Sequence, residues 1–284
     1  MSKYHTNQYL HVKSVTLLVK NIETMLSFYT KDLGLLLLEQ DHNIYKLGVK
    51  NRLLVTLVHD EHALPKSRTT GLYHFALLLP SRAHLGQILK HFLTKQIRLT
   101  GASDHGVSEA LYLNDPEGNG IEIYRDRQDV EWPKEVDGST VMYTDMMDAA
   151  SVLDEALQTP FTHMSDDTIM GHLHLHVGLL ADAHLYFIDL LGFSKVLDYG
   201  DSALFISDKG YHHHIGLNTW NGKGIKNHQV NTLGLIAYDL NVPANYYDDI
   251  IKRLKSASYS VIEHEDHAVT TDLIDVKVTL QKGL

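Results

Sequence analysis

The chain reads as an α+β protein assembled from four copies of one strand–helix–hairpin module (βαβββ), each about seventy residues long. Two observations predict this. Residues 15–35 and 173–193 match at a constant offset of 158 residues, and a strand pattern followed by a helical one recurs four times along the chain. In the first module, Val15-Thr-Leu-Leu-Val19 is strand-like, and Ile22 to Leu33 is a short amphipathic helix closed by Gly34 as C-cap. Its last strand is Leu53-Leu-Val-Thr56-Leu57. The second module begins with the strand Tyr73 to Leu79. A helix follows over 83–95, whose Ile88, Leu89, Phe92 and Leu93 have core spacing. The third repeats the first, with strand Leu173 to Val177, helix Ala183 to Leu191 and Gly192 as cap. The fourth is weaker: Leu233 to Leu240 as strand, Tyr246 to Ser256 as helix, and Val278-Thr279-Leu280 at the end. Trp132-Pro133 and Thr159-Pro160 interrupt the periodicity, so the expected division is 1–130, a linker over 131–168, and 169–284.

Composition narrows the function. The 284 residues are 44% apolar and 21% charged, ordinary for a globular protein. Net charge is −10 and the 25 Lys and Arg form no basic stripe, which argues against nucleic acid or an anionic membrane as partner. No stretch approaches eighteen uninterrupted apolar residues and the polar start lacks a signal-peptide core, so a cytoplasmic location is expected. Without cysteine there is no disulfide, thiolate site or cysteine nucleophile. Twenty histidines leave imidazole and carboxylate as metal ligands, a set suited to Fe, Mn, Zn or Ni.

The most informative stretch runs from His105 to Glu122. Asp115-Pro-Glu-Gly-Asn-Gly120 is turn chemistry, because proline pre-sets φ while glycine and asparagine accept positive φ. Ala110–Leu113 and Ile121–Tyr124 then read as paired antiparallel strands. Glu122 lies between two isoleucines and faces away from both. If the isoleucines enter the core, Glu122 points into the concave face of the sheet, where a carboxylate is costly unless paired or metal-bound.

This stretch resembles the final hairpin of a module in the vicinal-oxygen-chelate superfamily (glyoxalase, bleomycin resistance and extradiol dioxygenase proteins), and more narrowly the catechol 2,3-dioxygenase-like ring-cleaving enzymes. The resemblance implies paired modules whose sheets curl into half-open barrels around a metal. In that family one ligand stands on the first strand, fifteen residues before the second aromatic of the helix pair. Counting back from Tyr29 gives Ser14, and from Phe187 gives His172. His74 takes the matching place in the second module, while the fourth offers Leu235 or Ile236. On the last strands the second module offers Glu122, the first and fourth only Thr56 and Thr279, and the third a glycine beside His212, His213 and His214. The implied metal site is therefore His74, His172 and Glu122, a two-histidine, one-carboxylate set for Fe(II), with Mn, Zn or Ni as alternatives. It requires module two to pair with three and one with four. His172, His174 and His176 share a face, so a slip of two residues stays open.

A histidine on a strand is more often a core or surface residue than a ligand; His74 and His172 stand apart because both occupy the ligand position of a repeat. The resemblance further implies an acid–base histidine, for which alignment to Leu217 favours His213 and strand alternation favours His214. It gives Tyr112 and His105 pocket roles, against the plainer readings of core tyrosine and turn cap. The remaining histidines, His5 and His11 among them, read as mostly surface. The implied function is Fe(II)-dependent extradiol cleavage of catechol or a related dihydroxyarene, with a small aromatic diol and O₂ as partners and self-association as paired-module folds often show. A glyoxalase-like lyase or isomerase, or a non-catalytic binding or resistance protein, is the alternative. Glyoxalase-like sites use a fourth protein ligand at a position that is Gly216 here.

Overall fold

The computed structural model describes residues 2–283, which form two mixed, curled sheets with helices packed against them. The first module contributes β1 (His11–Val19), α1 (Ile22–Ser27), β2 (Leu36–Asp41), β3 (Ile44–Val49) and β4 (Arg52–His59). The second contributes β5 (Gly71–Leu78), α2 (Arg82–Lys95), β6 (Gly101–Asp104), β7 (Ser108–Asn114) and β8 (Gly120–Asp126). β9 (Asp145–Met146) and α3 (Ala149–Asp154) follow. The third module is β10 (Ile169–His176), α4 (Leu180–Ala183), β11 (Ser194–Tyr199), β12 (Ala203–Ser207) and β13 (Ile215–Asn218). The fourth is β14 (Gly234–Val242), α5 (Ala244–Ser256), β15 (Ile262–Glu263), β16 (His267–Thr271) and β17 (Lys277–Lys282).

Within every module the first strand runs parallel to the last: β1 with β4, β5 with β8, β10 with β13 and β14 with β17. Modules join through antiparallel first strands. β1 pairs with β14 and β10 with β5, giving sheet orders β15-β16-β17-β14-β1-β4-β3-β2 and β11-β12-β13-β10-β5-β8-β7-β6-β9. Modules one and four thus share one sheet and modules two and three the other. The sequence division at 130 and 169 cuts across both sheets, because each sheet is joined through antiparallel first strands of modules that are not on the same side of that division. Nor is 131–168 a bare linker. β9 extends the second sheet beside β6, and Met147, Val152 and Trp132 are buried. Among the described residues no helix is long and apolar enough to cross a membrane.

The local chemistry explains the repeats. The Asn21 side chain caps α1 by accepting from the Thr24 N–H at 3.2 Å. The predicted helices in modules one and three widen into π turns over Phe28–Asp32 and His184–Leu190, with Leu33 N–H donating to Phe28 O and Leu191 N–H to Tyr186 O. The extra residue per turn lets both aromatics of each pair enter the core: Phe28, Tyr29, Tyr186 and Phe187 are all buried.

The hairpin turns repeat as well. Asp115 Oδ1 accepts from the N–H groups of Glu117 (3.0 Å) and Asn119 (2.8 Å), and Oδ2 from the Tyr29 hydroxyl (2.9 Å). Asp272 Oδ1 likewise accepts from Ile274 and Val276 N–H (both 2.9 Å), and Oδ2 from the Tyr238 hydroxyl (3.0 Å). Burial pushes the Asp272 carboxyl up to about 7, outweighing those hydrogen bonds. The folded chain therefore binds a proton that the unfolded chain, near 3.8, releases, and stability falls as pH rises from about 4 to about 7. Asp272→Asn should remove this slope, gaining little in melting temperature at pH 4 and most above pH 7. Equal shifts at both pH values would contradict the assignment.

Candidate metal centre

The seam of the second sheet places the site. On β5, Phe75 and Leu77 enter the core, so His74 and Ala76 face the other way. On β8, Ile121 and Ile123 enter the core and Glu122 faces with His74. On β10, Leu173 and Leu175 are core, leaving His172 and His174 on the same concave side. Ala76 is the register partner of both Glu122 and His172, so a methyl group lies at the centre of the three larger side chains.

Their donor atoms converge. His172 Nε2 is 3.0 Å and His74 Nε2 3.1 Å from Glu122 Oε2, and the two imidazole nitrogens are 3.3 Å apart. All three residues are buried, and they are the one group of three or more His, Asp or Glu among the described residues whose ligand atoms lie together within 4.8 Å. Donors bonded at about 2.1 Å on one octahedral face stand about 3.0 Å apart, so a divalent ion fits this set with little movement. Burial alone would raise the Glu122 carboxyl, but the His172 and His74 imidazoles hold it well below the usual carboxylate range. Burial lowers His74 against the opposing pull of Glu122. Both directions favour the form a metal binds: ionised carboxylate and neutral imidazole. His172 Nδ1 is buried without a hydrogen-bond partner.

Gly120 makes the approach of β8 to β5 possible. A Cβ there would stand 2.1 Å from Tyr73 O and 3.1 Å from His74 Cβ. Gly120→Ala should therefore destabilise by about 1–3 kcal/mol, read from the denaturant midpoint, and lower metal content by displacing His74. Wild-type values for both would contradict this packing.

His74 and Glu122 line an open cavity of about 610 Å³, with His172 buried beside them. Tyr112, across the β7–β8 ladder from Glu122, donates its hydroxyl to His105 Nε2 at 2.7 Å. His105 Nδ1–H donates to Tyr143 O at 2.8 Å, which leaves Nε2 as the acceptor. Burial, with Glu122 nearby, raises the Tyr112 hydroxyl well above its ordinary value. Both residues line the cavity, and so does His213, whose ring centroid is 4.1 Å from that of His172.

His214 does not. Its Nδ1 accepts from Asp208 N–H and its Nε2 donates to Tyr4 O, both at 3.1 Å, on the side where it meets His5, His11 and Tyr211. Alternation fails as a guide because β13 begins only at Ile215, and residues 208–214 form an irregular connection. His11 is accordingly buried and His5 half-buried, and burial lowers His5 to about 3 and His11 to about 4.

His174, two residues beyond His172, turns from the three donors and accepts from Asn218 Nδ2 at 3.0 Å. Gly216 leaves room for its ring, since a Cβ there would lie 2.8–2.9 Å from three His174 atoms. Sequence reasoning missed the aromatic wall of Tyr73, Phe205 and Trp220, the contribution of Tyr143 from 131–168, and Asp126, whose carboxylate accepts from His212 Nε2–H at 2.8 Å. Asp126 lies two and four residues beyond Tyr124 and Glu122, a period-two signal on β8 that could have found it.

Comparison with known proteins places this architecture. Residues 11–123 match the model of the Glyoxalase/Bleomycin resistance protein/Dioxygenase superfamily. A Bacillus subtilis (strain 168) protein named catechol-2,3-dioxygenase is 40% identical over 261 residues, covering 90% of this chain and 91% of that protein. Glyoxalase I from Zea mays superposes with a TM-score of 0.60 at 14% identity, covering 96% of this chain and 92% of that one. The cppA protein of Streptococcus pneumoniae TIGR4 gives 0.57 at 13% identity over 96% and 98%. These two likenesses speak to fold alone. With its paired βαβββ sheets and a 40%-identical relative along nine-tenths of its length, the chain belongs to the glyoxalase/bleomycin resistance protein/dioxygenase superfamily.

Proposed function

We propose that this protein is an Fe(II)-dependent extradiol dioxygenase that cleaves catechol or a related dihydroxyarene with O₂. The observation that carries the proposal is the buried His74–Glu122–His172 set, whose His74 and Glu122 line one cavity with His213, Tyr112 and His105. The name of the 40%-identical relative supports it. His74, His172 and Glu122 would hold the iron, which when bound supplies a chelation point for the diol, Lewis acidity and a path for electrons from ring to O₂.

The other steps belong to the chain. His213, kept neutral by burial and by the neighbouring imidazoles, accepts the proton of a substrate hydroxyl and later returns it. Tyr112 stays protonated; its hydrogen goes to His105 Nε2, which leaves its oxygen to accept from a substrate hydroxyl and orient the ring. Tyr73, Phe205 and Trp220 flank the ring and limit water. The cavity wall contains neither lysine nor arginine, so the substrate carries a neutral substituent or none. A glyoxalase-like chemistry would place its fourth ligand at Gly216, where the His174 ring leaves no room for a side chain.

The test is anaerobic loading with Fe(II), then catechol, 4-methylcatechol or 3,4-dihydroxybenzoate with O₂. One O₂ consumed per catechol with a yellow product, none with Zn(II), and kcat/KM at least about tenfold lower for the carboxylate-bearing diol are expected. No O₂ uptake from any diol despite bound iron would overturn the proposal.

A further inference from the structure

We infer that Asp126 and His212 are positioning residues that hold His213 in one orientation and one tautomer, with its Nε2 lone pair turned to the cavity. The inference deepens the dioxygenase reading and takes from it the role of His213. Asp126 stands on the same face of β8 as Glu122, four residues on, and its carboxylate can only accept. His212 Nε2, 2.8 Å from Asp126 Oδ1, therefore carries the hydrogen. In the neutral ring Nδ1 is then a lone pair. It lies 2.9 Å from His213 Nδ1, a distance that requires the hydrogen to sit on His213. The tautomer with hydrogen on Nε2 of His213 would set two lone pairs against each other. Nε2 of His213 is thereby left as the acceptor, and it makes no hydrogen bond among the described residues.

The chain is braced along its length. His212 is fully buried between the rings of Tyr211 (centroids 4.0 Å) and Trp132 (5.3 Å, edge-on). Tyr124 donates to the Tyr211 hydroxyl at 2.8 Å, and Tyr211 in turn donates to Asp126 at 3.0 Å. His213 rests between Phe205 and His172. Two bonds from one carboxylate thus select which nitrogen of a third residue faces the substrate, without that carboxylate touching it.

Two readouts test this. In full-length protein loaded with Zn(II), which is diamagnetic, two-bond ¹H–¹⁵N correlation reports each histidine tautomer, and His213 is assigned by its loss in His213→Ala. Hydrogen on Nδ1 of His213 and on Nε2 of His212 is expected. With iron bound, His212→Phe should lower kcat on the order of 10- to 100-fold, leaving iron content unchanged and KM for catechol within about threefold. His212→Gln, whose amide can both donate to Asp126 and accept from His213, should recover most of that loss. Hydrogen on Nε2 of His213 in the wild type would overturn the inference whether or not any variant folds, and so would a kcat within about twofold of wild type in His212→Phe. A wild type that has the expected tautomers but cleaves no diol would sink the dioxygenase reading and leave the positioning assignment standing.

Discussion

Replacing Glu122 by alanine should strip the protein of metal and of turnover together. The carboxylate is the one anionic group of the His74–Glu122–His172 set, and its loss leaves two neutral imidazoles to hold a divalent ion in a buried site. Iron per chain, measured by elemental analysis after gel filtration, should fall from one toward zero, and kcat/KM by at least about 10³-fold. Folding should survive, because the substitution removes a buried carboxylate and leaves no charge without its partner. Glu122→Gln, nearly isosteric, should lose iron as well. Full iron content and activity in Glu122→Ala would refute the proposed centre.

Substituting His213 should separate binding from chemistry. His213→Ala is expected to retain iron and to keep KM for catechol within a few-fold, while kcat drops on the order of 10²- to 10⁴-fold, the range of a lost general base. The contrast with its neighbour is informative. His214 bonds Asp208 N–H and Tyr4 O away from the cavity, so His214→Ala should lower the melting temperature and leave kcat near wild type. Iron analysis, steady-state kinetics and thermal unfolding on the two variants decide the matter. A larger kcat loss in His214→Ala than in His213→Ala would reverse the assignment.

Much of the architecture was legible in the chain because repetition makes local signals reinforce one another. The Phe28-Tyr29 and Tyr186-Phe187 pairs, each followed a few residues on by Leu-Gly, mark the same turn in modules one and three, and both pairs are buried. The strand period put Glu122 opposite two core isoleucines, and the first-strand ligand place implied by the family resemblance fell on His172 and His74. These are statements about which face a side chain takes, and a period of two decides that locally.

Local pattern in the chain sets the α+β module, its repetition, and the residues on the concave face of each regular strand. Tertiary structure alone decided the rest. The seam between β5 and β10, residues 98 apart at His74 and His172, brings the three donors together. The irregular run 208–214 turns His213 to the cavity and His214 away. The segment 131–168 supplies Tyr143 to hold His105. The physical reason is common to all three. Side-chain direction follows from sequence only where backbone hydrogen bonding imposes a period. At turns, connections and module seams, direction is set by distant packing, which no local pattern encodes.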